Sequence, residues 1–262
     1  SPLLIAFAGL AALGFFACGP ALFAIPDDPV EDPDVLLDAV RARAERLGPM
    51  AVEARVAGRA DRGRVRGRVS ILADAANSRL RIDAWTPTDD LIAALVAGPD
   101  GLAYFERGAG GCLAGPACRE NLQRLLPLGL GLTDAVRGLY GVPPGIDHAG
   151  PWSIGFDRRV GAYRLTAAPS PEVETRLWIR DDGAVVRAER LTGGRRDFWM
   201  AFADPDRTGL PRTLTFKSPG EGSEVSVRYR EVDRDPDLVP EDWEPACPQG
   251  LPTRHLPCEG EP

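Results

Sequence analysis

Polar and apolar residues change their rhythm several times along the chain, and each change marks an element. From Leu3 to Ala17 the run is simply apolar. Between Pro33 and Leu47 apolar residues recur at helical spacing: Leu36, Leu37, Val40, Ala44 and Leu47 share one stripe, with Arg41, Arg43 and Arg46 largely elsewhere. Asp32 is placed to cap that helix, Pro33 suits its first turn, and Gly48-Pro49 ends it. After Pro49 the period shortens to two. Met50, Val52, Ala54 and Val56 alternate with other residues. Val65, Gly67, Val69 and Ile71 alternate with Arg64, Arg66 and Arg68, and Leu80, Ile82 and Ala84 with Arg79, Arg81 and Asp83. Segments 91–97 and 101–106 continue the series, which predicts an antiparallel meander joined at Gly, Asn and Asp.

The alternation breaks at a cysteine-containing loop, Gly108 to Cys118, and helical spacing takes over between Arg119 and Tyr140 (Leu122, Leu125, Leu126, then Leu132, Ala135, Val136, Leu139). The segment Gly141-Val-Pro-Pro-Gly145 closes this insert. Strand patterning resumes around Trp152, Tyr163, Val173, Val185, Phe198, Leu214 and Val225, with turns at Asp182-Gly183, Gly193-Gly194 and Pro219-Gly220. The layout predicted is one helix, about five strands, a helical insert and about six more strands. A long antiparallel sheet twists and curls, leaving one concave apolar face. The first helix and the insert are the elements available to cover it. The expected fold is therefore mainly β with a helical lid: an unclosed half-barrel of about 11 strands over residues 33–234. Such a shape tends to hold a pocket. The proline-rich tail, 235–262, reads as irregular.

The N-terminal run reads as an address. Fifteen or so apolar residues make a signal-peptide core rather than a full span, which needs about 20. The run ends Phe16-Ala17-Cys18-Gly19, and small-residue-then-cysteine resembles a bacterial lipobox, whose cysteine is acylated. This divides the start of the chain into a lipoprotein signal peptide at 1–18 and an acidic, proline-rich tether at 19–32. Phe15 departs from the usual leucine. The alternative is a signal anchor continuing through Ala21-Leu22-Phe23-Ala24-Ile25, which Gly19-Pro20 interrupts. Either reading places the body outside the cytoplasm, in the cell envelope; acylation at Cys18 implies a lipoprotein of the outer membrane facing the periplasm, or one held at the inner membrane. Several acyl chains on Cys18 would anchor firmly, since each buried CH₂ contributes about 0.8 kcal/mol.

Cysteine usage agrees with an oxidising compartment: Cys112, Cys118, Cys247 and Cys258 remain after Cys18, an even number. Of three possible connectivities the local one, Cys112–Cys118 with Cys247–Cys258, is favoured because each pair brackets a short Gly/Pro-rich loop. A four-cysteine metal site competes, but its usual two-to-four-residue spacing is missing, and no metal is expected. Composition narrows the function classes further. At 44% hydrophobic and 26% charged the chain suits a globular body, and a net charge of −7 argues against nucleic acid as partner. Two histidines, His148 and His255, without neighbouring ligand-type residues, speak against a zinc enzyme or a Ser-His-Asp hydrolase. A phosphate loop, nucleophile elbow and dinucleotide fingerprint are all missing. A non-enzyme without cofactor, acting as a monomer, is the expectation.

Two stretches resemble the LolA/LolB-like superfamily of periplasmic lipoprotein carriers and receptors. One is Leu128-Gly-Leu-Gly-Leu-Thr-Asp-Ala-Val-Arg-Gly-Leu-Tyr-Gly-Val-Pro-Pro-Gly145, similar to the family's leucine-rich segment and short helix before the sheet resumes. The other is the strand pair from Gly67 to Pro87 with its basic second strand. The resemblance implies an unclosed barrel that holds acyl chains of lipids or lipidated client proteins beneath helical lids, without bond chemistry. It also implies a loop between the third and fourth strands that exposes an apolar residue. Here that loop is Thr86-Pro87-Thr88-Asp89-Asp90, whose tip is polar, with Leu91 and Ile92 beginning the next strand.

Candidate cavity-lining residues follow from lid and stripe. Leu36, Leu37 and Val40 could line a pocket or simply pack on the sheet. Leu125, Leu126, Leu128, Leu130 and Leu132, interspersed with glycine and proline, suit a mobile apolar lid. Arg64, Arg66, Arg68, Arg79 and Arg81 form a basic stripe whose default role is a solvated outer face, and whose sharper role is contact with anionic headgroups.

Overall fold

The stripe beginning at Leu36 is realised as α1 (Pro33–Ala44), whose N-terminus is closed by Asp32 accepting from the Asp34 amide at 2.9 Å. A computed structural model of the chain describes residues 22–60, 63–126, 128–147, 150–218, 222–244, 247–248 and 250–258. Cys18 and the rest of the N-terminal run, and also His148, lie outside these residues. No described helix is long and apolar enough to cross a membrane.

Strands follow in chain order: β1 (Met50–Ala60), β2 (Gly63–Asp74), β3 (Arg79–Trp85), β4 (Leu91–Gly98), β5 (Gly101–Glu106) and β6 (Cys112–Gly115). Helices α2 (Arg119–Leu125) and α3 (Leu132–Leu139) form the insert. Then come β7 (Trp152–Asp157), β8 (Ala162–Ser170), β9 (Val173–Ile179), β10 (Val185–Thr192), β11 (Arg195–Ala203), β12 (Thr213–Ser218) and β13 (Ser223–Asp233); β14 (Thr253–His255) lies in the tail. All fourteen join one sheet, ordered β14-β6-β5-β4-β3-β2-β1-β13-β12-β11-β10-β9-β8-β7. Strands β7 and β14 are its free edges, so the barrel is unclosed, and β13 returns to pair with β1 at the centre of the order.

The count exceeds the expected eleven for physical reasons. Seven strands, not six, lie between the insert and the tail. Strand β6 has four residues and β14 three, too few to show alternation, and both fall where loop composition dominates. The tail is therefore not wholly irregular: Thr253, Arg254 and His255 pair in parallel with Cys112, Leu113 and Ala114. Parallel pairing requires a long connection, so it leaves no local signal. The same docking overturns the local disulfide pairing. Cys112 bonds to Cys247 and Cys118 to Cys258, at Cα–Cα distances of 6.0 and 6.3 Å, so both bridges fasten the tail to β6 and the start of α2. The sole cluster of three possible metal ligands among the described residues, Cys118, Glu120 and Cys258, contains one of these disulfides.

The outer face is also covered in places. Between β9 and β12 the carboxylate of Glu189 is buried and accepts from Arg176, Arg187 and Arg196 at 3.1, 2.9 and 3.2 Å. Arg187 in turn lies 4.3 Å over the Trp178 ring. Three cations around one desolvated anion explain how a charge is tolerated there. On β3 the basic stripe divides. Arg79 lies 6.0 Å over Trp243 and Arg81 donates to the Asp242 carbonyl at 2.9 Å, both beneath the tail, whereas Arg64, Arg66 and Arg68 are exposed.

Candidate functional site: the concave face and its lid

Strand register lays the inward side chains out in rows across the sheet. One row runs Met50, Ala73, Leu80, Ala97, Leu102; the next Val52, Ile71, Ile82, Leu95, Tyr104, Leu113; the next Tyr229, Ala54, Val69, Ala84, Ala93. On the other side of β1, a row passes through Val225, Phe216, Met200, Ala188, Leu177, Leu165 and Ile154. Every member but Tyr104 and Tyr229 is wholly apolar, because each faces the interior of the curl.

The cover over these rows is uneven. Leu36, Leu37 and Val40 of α1 have 0–2% exposure and pack in the same cluster as Leu165, Leu177, Phe198 and Met200. They are core, not lining. On the insert, Leu130 is buried with the same cluster, and Val136 and Leu139 of α3 accompany it. Leu126, Leu128 and Leu132 pack against this core but stay half-buried, and so do Val56, Ile82, Ala84 and Val227 on the wall. Leu125 faces a second, smaller cluster formed by Ala97, Leu102, Leu122 and Leu256. Aliphatic groups on the wall and on the insert are thus both half-buried. The wall half was not singled out from sequence, where Val56 and Ala84 alternate like their buried neighbours.

Two buried tyrosines hold the insert down. Tyr229 donates to the Leu139 carbonyl at 2.8 Å, and Tyr140 bonds the Ala73 and Gly48 carbonyls at 2.7 and 2.9 Å. Burial pushes both phenols well above their ordinary range: Asp74 adds to the effect at Tyr140, and Tyr140 adds to it at Tyr229. The β3–β4 turn is polar throughout, with Thr86 accepting from the Asp90 amide at 2.9 Å and Arg68 reaching Asp89 at 2.5 Å; Ile92, just beyond it, is exposed. His255 is exposed on β14.

This arrangement can be set beside known structures. A DUF1329 family protein from Desulfovibrio piger superposes with a TM-score of 0.58 at 12% identity, covering 82% of this chain and 98% of that one. A LolA superfamily protein from Nitrosomonas europaea gives 0.53 at 12% identity, covering 82% and 98%. The chain shares the fold of these structures. A domain from Vibrio parahaemolyticus described as an outer membrane lipoprotein-sorting protein gives 0.55 at 10% identity, covering 81% and 97%. No family model matches the sequence, and no curated protein sequence matches it. At one edge of the sheet the tail, fastened by two disulfides, pairs through β14 with β6.

Proposed function

We propose that this protein is a cell-envelope lipoprotein, anchored through acylated Cys18, that binds acyl chains of lipids or lipidated client proteins between the half-barrel wall and its leucine lid. It would act in lipoprotein localisation or lipid transfer, without cofactor, bond-making step or nucleic-acid partner, and as a monomer. The observation that carries the reading is the half-buried aliphatic surface: Leu126, Leu128 and Leu132 on the lid, and Val56, Ile82, Ala84 and Val227 on the wall. Hydrocarbon laid there leaves water at about 25 cal/mol per Å². The likeness to LolA superfamily structures, one of them described as lipoprotein-sorting, supports the same reading.

Native mass spectrometry of protein purified without detergent tests it. Bound lipid or diacylated peptide is the expected result, and an empty protein after reconstitution with such peptides would overturn it. The core under α1 favours a second reading, a structural or assembly lipoprotein working through its surface, because Leu36, Leu37 and Val40 leave no room there. Recovery of a stoichiometric envelope partner with no lipid would select that alternative. Replacing Cys18 by alanine should release the protein from membranes; retention would instead support the uncleaved anchor.

A further inference from the structure

A cleft of about 670 Å³ opens at the Met50 end of β1, and its charge is opposite to that of the chain as a whole. Its sides come from the end of α1, the β9–β10 turn and the β11–β12 loop. They bring together Arg43, Arg46, Arg207 and Arg234 against the carboxylates of Asp182 and Asp206. The carboxylates are already engaged. Asp206 accepts from Arg234, the Thr208 amide and hydroxyl and the Leu210 amide, and Asp182 accepts from Arg180 and the Ala184 amide. Arg43, Arg46 and Arg207 have no carboxylate partner among the described residues. In a protein of net charge −7, three guanidinium groups without an ion pair in one cleft, with only the Asp182 charge acting on Arg43, require a physical reason.

A helix C-terminus favours cations and accounts in part for Arg43 and Arg46. It does not account for Arg207 on a separate loop, nor for how Arg43 is seated. The Arg43 guanidinium is clamped between Gly183 and Gly209, both with left-handed backbone (φ +75° and +82°), and donates to the Gly183 carbonyl. A side chain at residue 209 would collide with it. Its Nη1 is buried without an acceptor. A buried unsatisfied donor of this kind is uncommon and costly. Beside these cations the floor is apolar, from Leu47, Met50 and Leu210.

We infer that this cleft binds a phosphate-type anionic group, with Arg43, Arg46 and Arg207 as its donors. Guanidinium forks match phosphate oxygens bidentately, and the apolar floor suits an anion attached to a hydrocarbon body. The site is independent of the acyl-chain reading, since it shares none of the half-buried lid and wall residues.

Isothermal titration at low salt with two probes, inorganic phosphate and monomeric short-chain phosphatidylglycerol, tests the inference on the full chain. Saturable binding is expected, weakened about tenfold or more by Arg46→Ala/Arg207→Ala, exposed substitutions that leave the core intact. Arg43→Gln should weaken it as well. Much tighter binding of the phospholipid would make a lipid phosphodiester the source, and equal affinities would make it free phosphate; both support the site. Absence of binding to either probe, or unchanged affinity in the Arg46/Arg207 variant, would overturn it. Binding of an acyl probe to the lid and wall should be unaffected by the same variant, so failure of one site can be told from failure of the other.

Discussion

Between β7 and β12 the inner face is built from Leu165, Leu177, Phe198, Met200 and Phe216, whereas between β1 and β4 the rows intersperse Ala54, Ala73, Ala84, Ala93 and Ala97 with larger side chains such as Met50, Ile71, Leu80 and Leu95. The first set fills its own concavity, and α1 needs only to seal it with Leu36, Leu37 and Val40. The second set is shallow. Small side chains leave the space to be filled by other elements, and the insert fills it incompletely, so that Ala84, Val56 and Ile82 stay half-buried. One half of the sheet is thus filled by its own side chains, and the other leaves aliphatic groups half-buried beneath the insert. The same backbone curl serves both, and side-chain volume decides which.

The largest effect should appear on the filled side. Leu177→Ala, at a site with 0% exposure, is expected to cost about 2–5 kcal/mol in urea unfolding, whereas Val56→Ala on the shallow side should cost under about 1 kcal/mol. Equal costs would break the comparison. Next come the bridges that fasten the tail. Removing Cys118–Cys258, which closes a loop of sequence separation 140, should cost about 2–4 kcal/mol. Hydrogen exchange should localise that loss to β6 and β14, leaving β8–β11 protected; uniform deprotection would deny the two halves their independence.

Tyr229→Phe removes the bond to Leu139 and should cost about 1 kcal/mol while loosening α3. Because burial raises the phenols of Tyr140 and Tyr229, the stability they contribute is complete below pH 10.0 and declines as pH rises above it. Absorbance titration should find both ionising only as the protein unfolds. The smallest effect concerns the arginine cleft. Burial opposes the charge of Asp206, but bonds from Thr208 and Leu210 and the nearby Arg234 outweigh it and hold the carboxyl below its ordinary 3.8. That stability is present above pH 3.8 and lost as pH falls below it, so Asp206→Asn should flatten the acid limb of a pH–stability curve.

Much of this architecture is legible in the sequence because one face of each early strand is buried. Met50, Val52 and Ala54, then Val69, Ile71 and Ala73, alternate cleanly enough to fix strands and faces together. Asp32-Pro33 likewise marks the start of α1, whereas the helix ends at Ala44, before Gly48-Pro49. Strand β6 is too short to show alternation, and β14 and the disulfide connectivity were not legible because each depends on a contact between residues well over a hundred positions apart. At the site, glycine-interrupted leucines mark the lid, and Leu126, Leu128 and Leu132 do face the core while half-exposed. Leu36, Leu37 and Val40 carry an identical pattern for packing and for lining, and only the fit of α1 against β7 and its neighbours distinguishes the two. The wall has no signal of its own, because Ala84 alternates just as buried Leu80 does. Nor does the arginine cleft, assembled from three separate segments.

The central claim is that hydrocarbon occupies the shallow half beneath the lid. Titration of an environment-sensitive fluorescent acyl probe into wild type, Ala84→Phe and Leu177→Met measures it directly. Saturable, one-to-one binding is expected in wild type and in Leu177→Met, with binding lost in Ala84→Phe because the larger ring fills the wall. Full binding in Ala84→Phe, or none in wild type, would contradict the account.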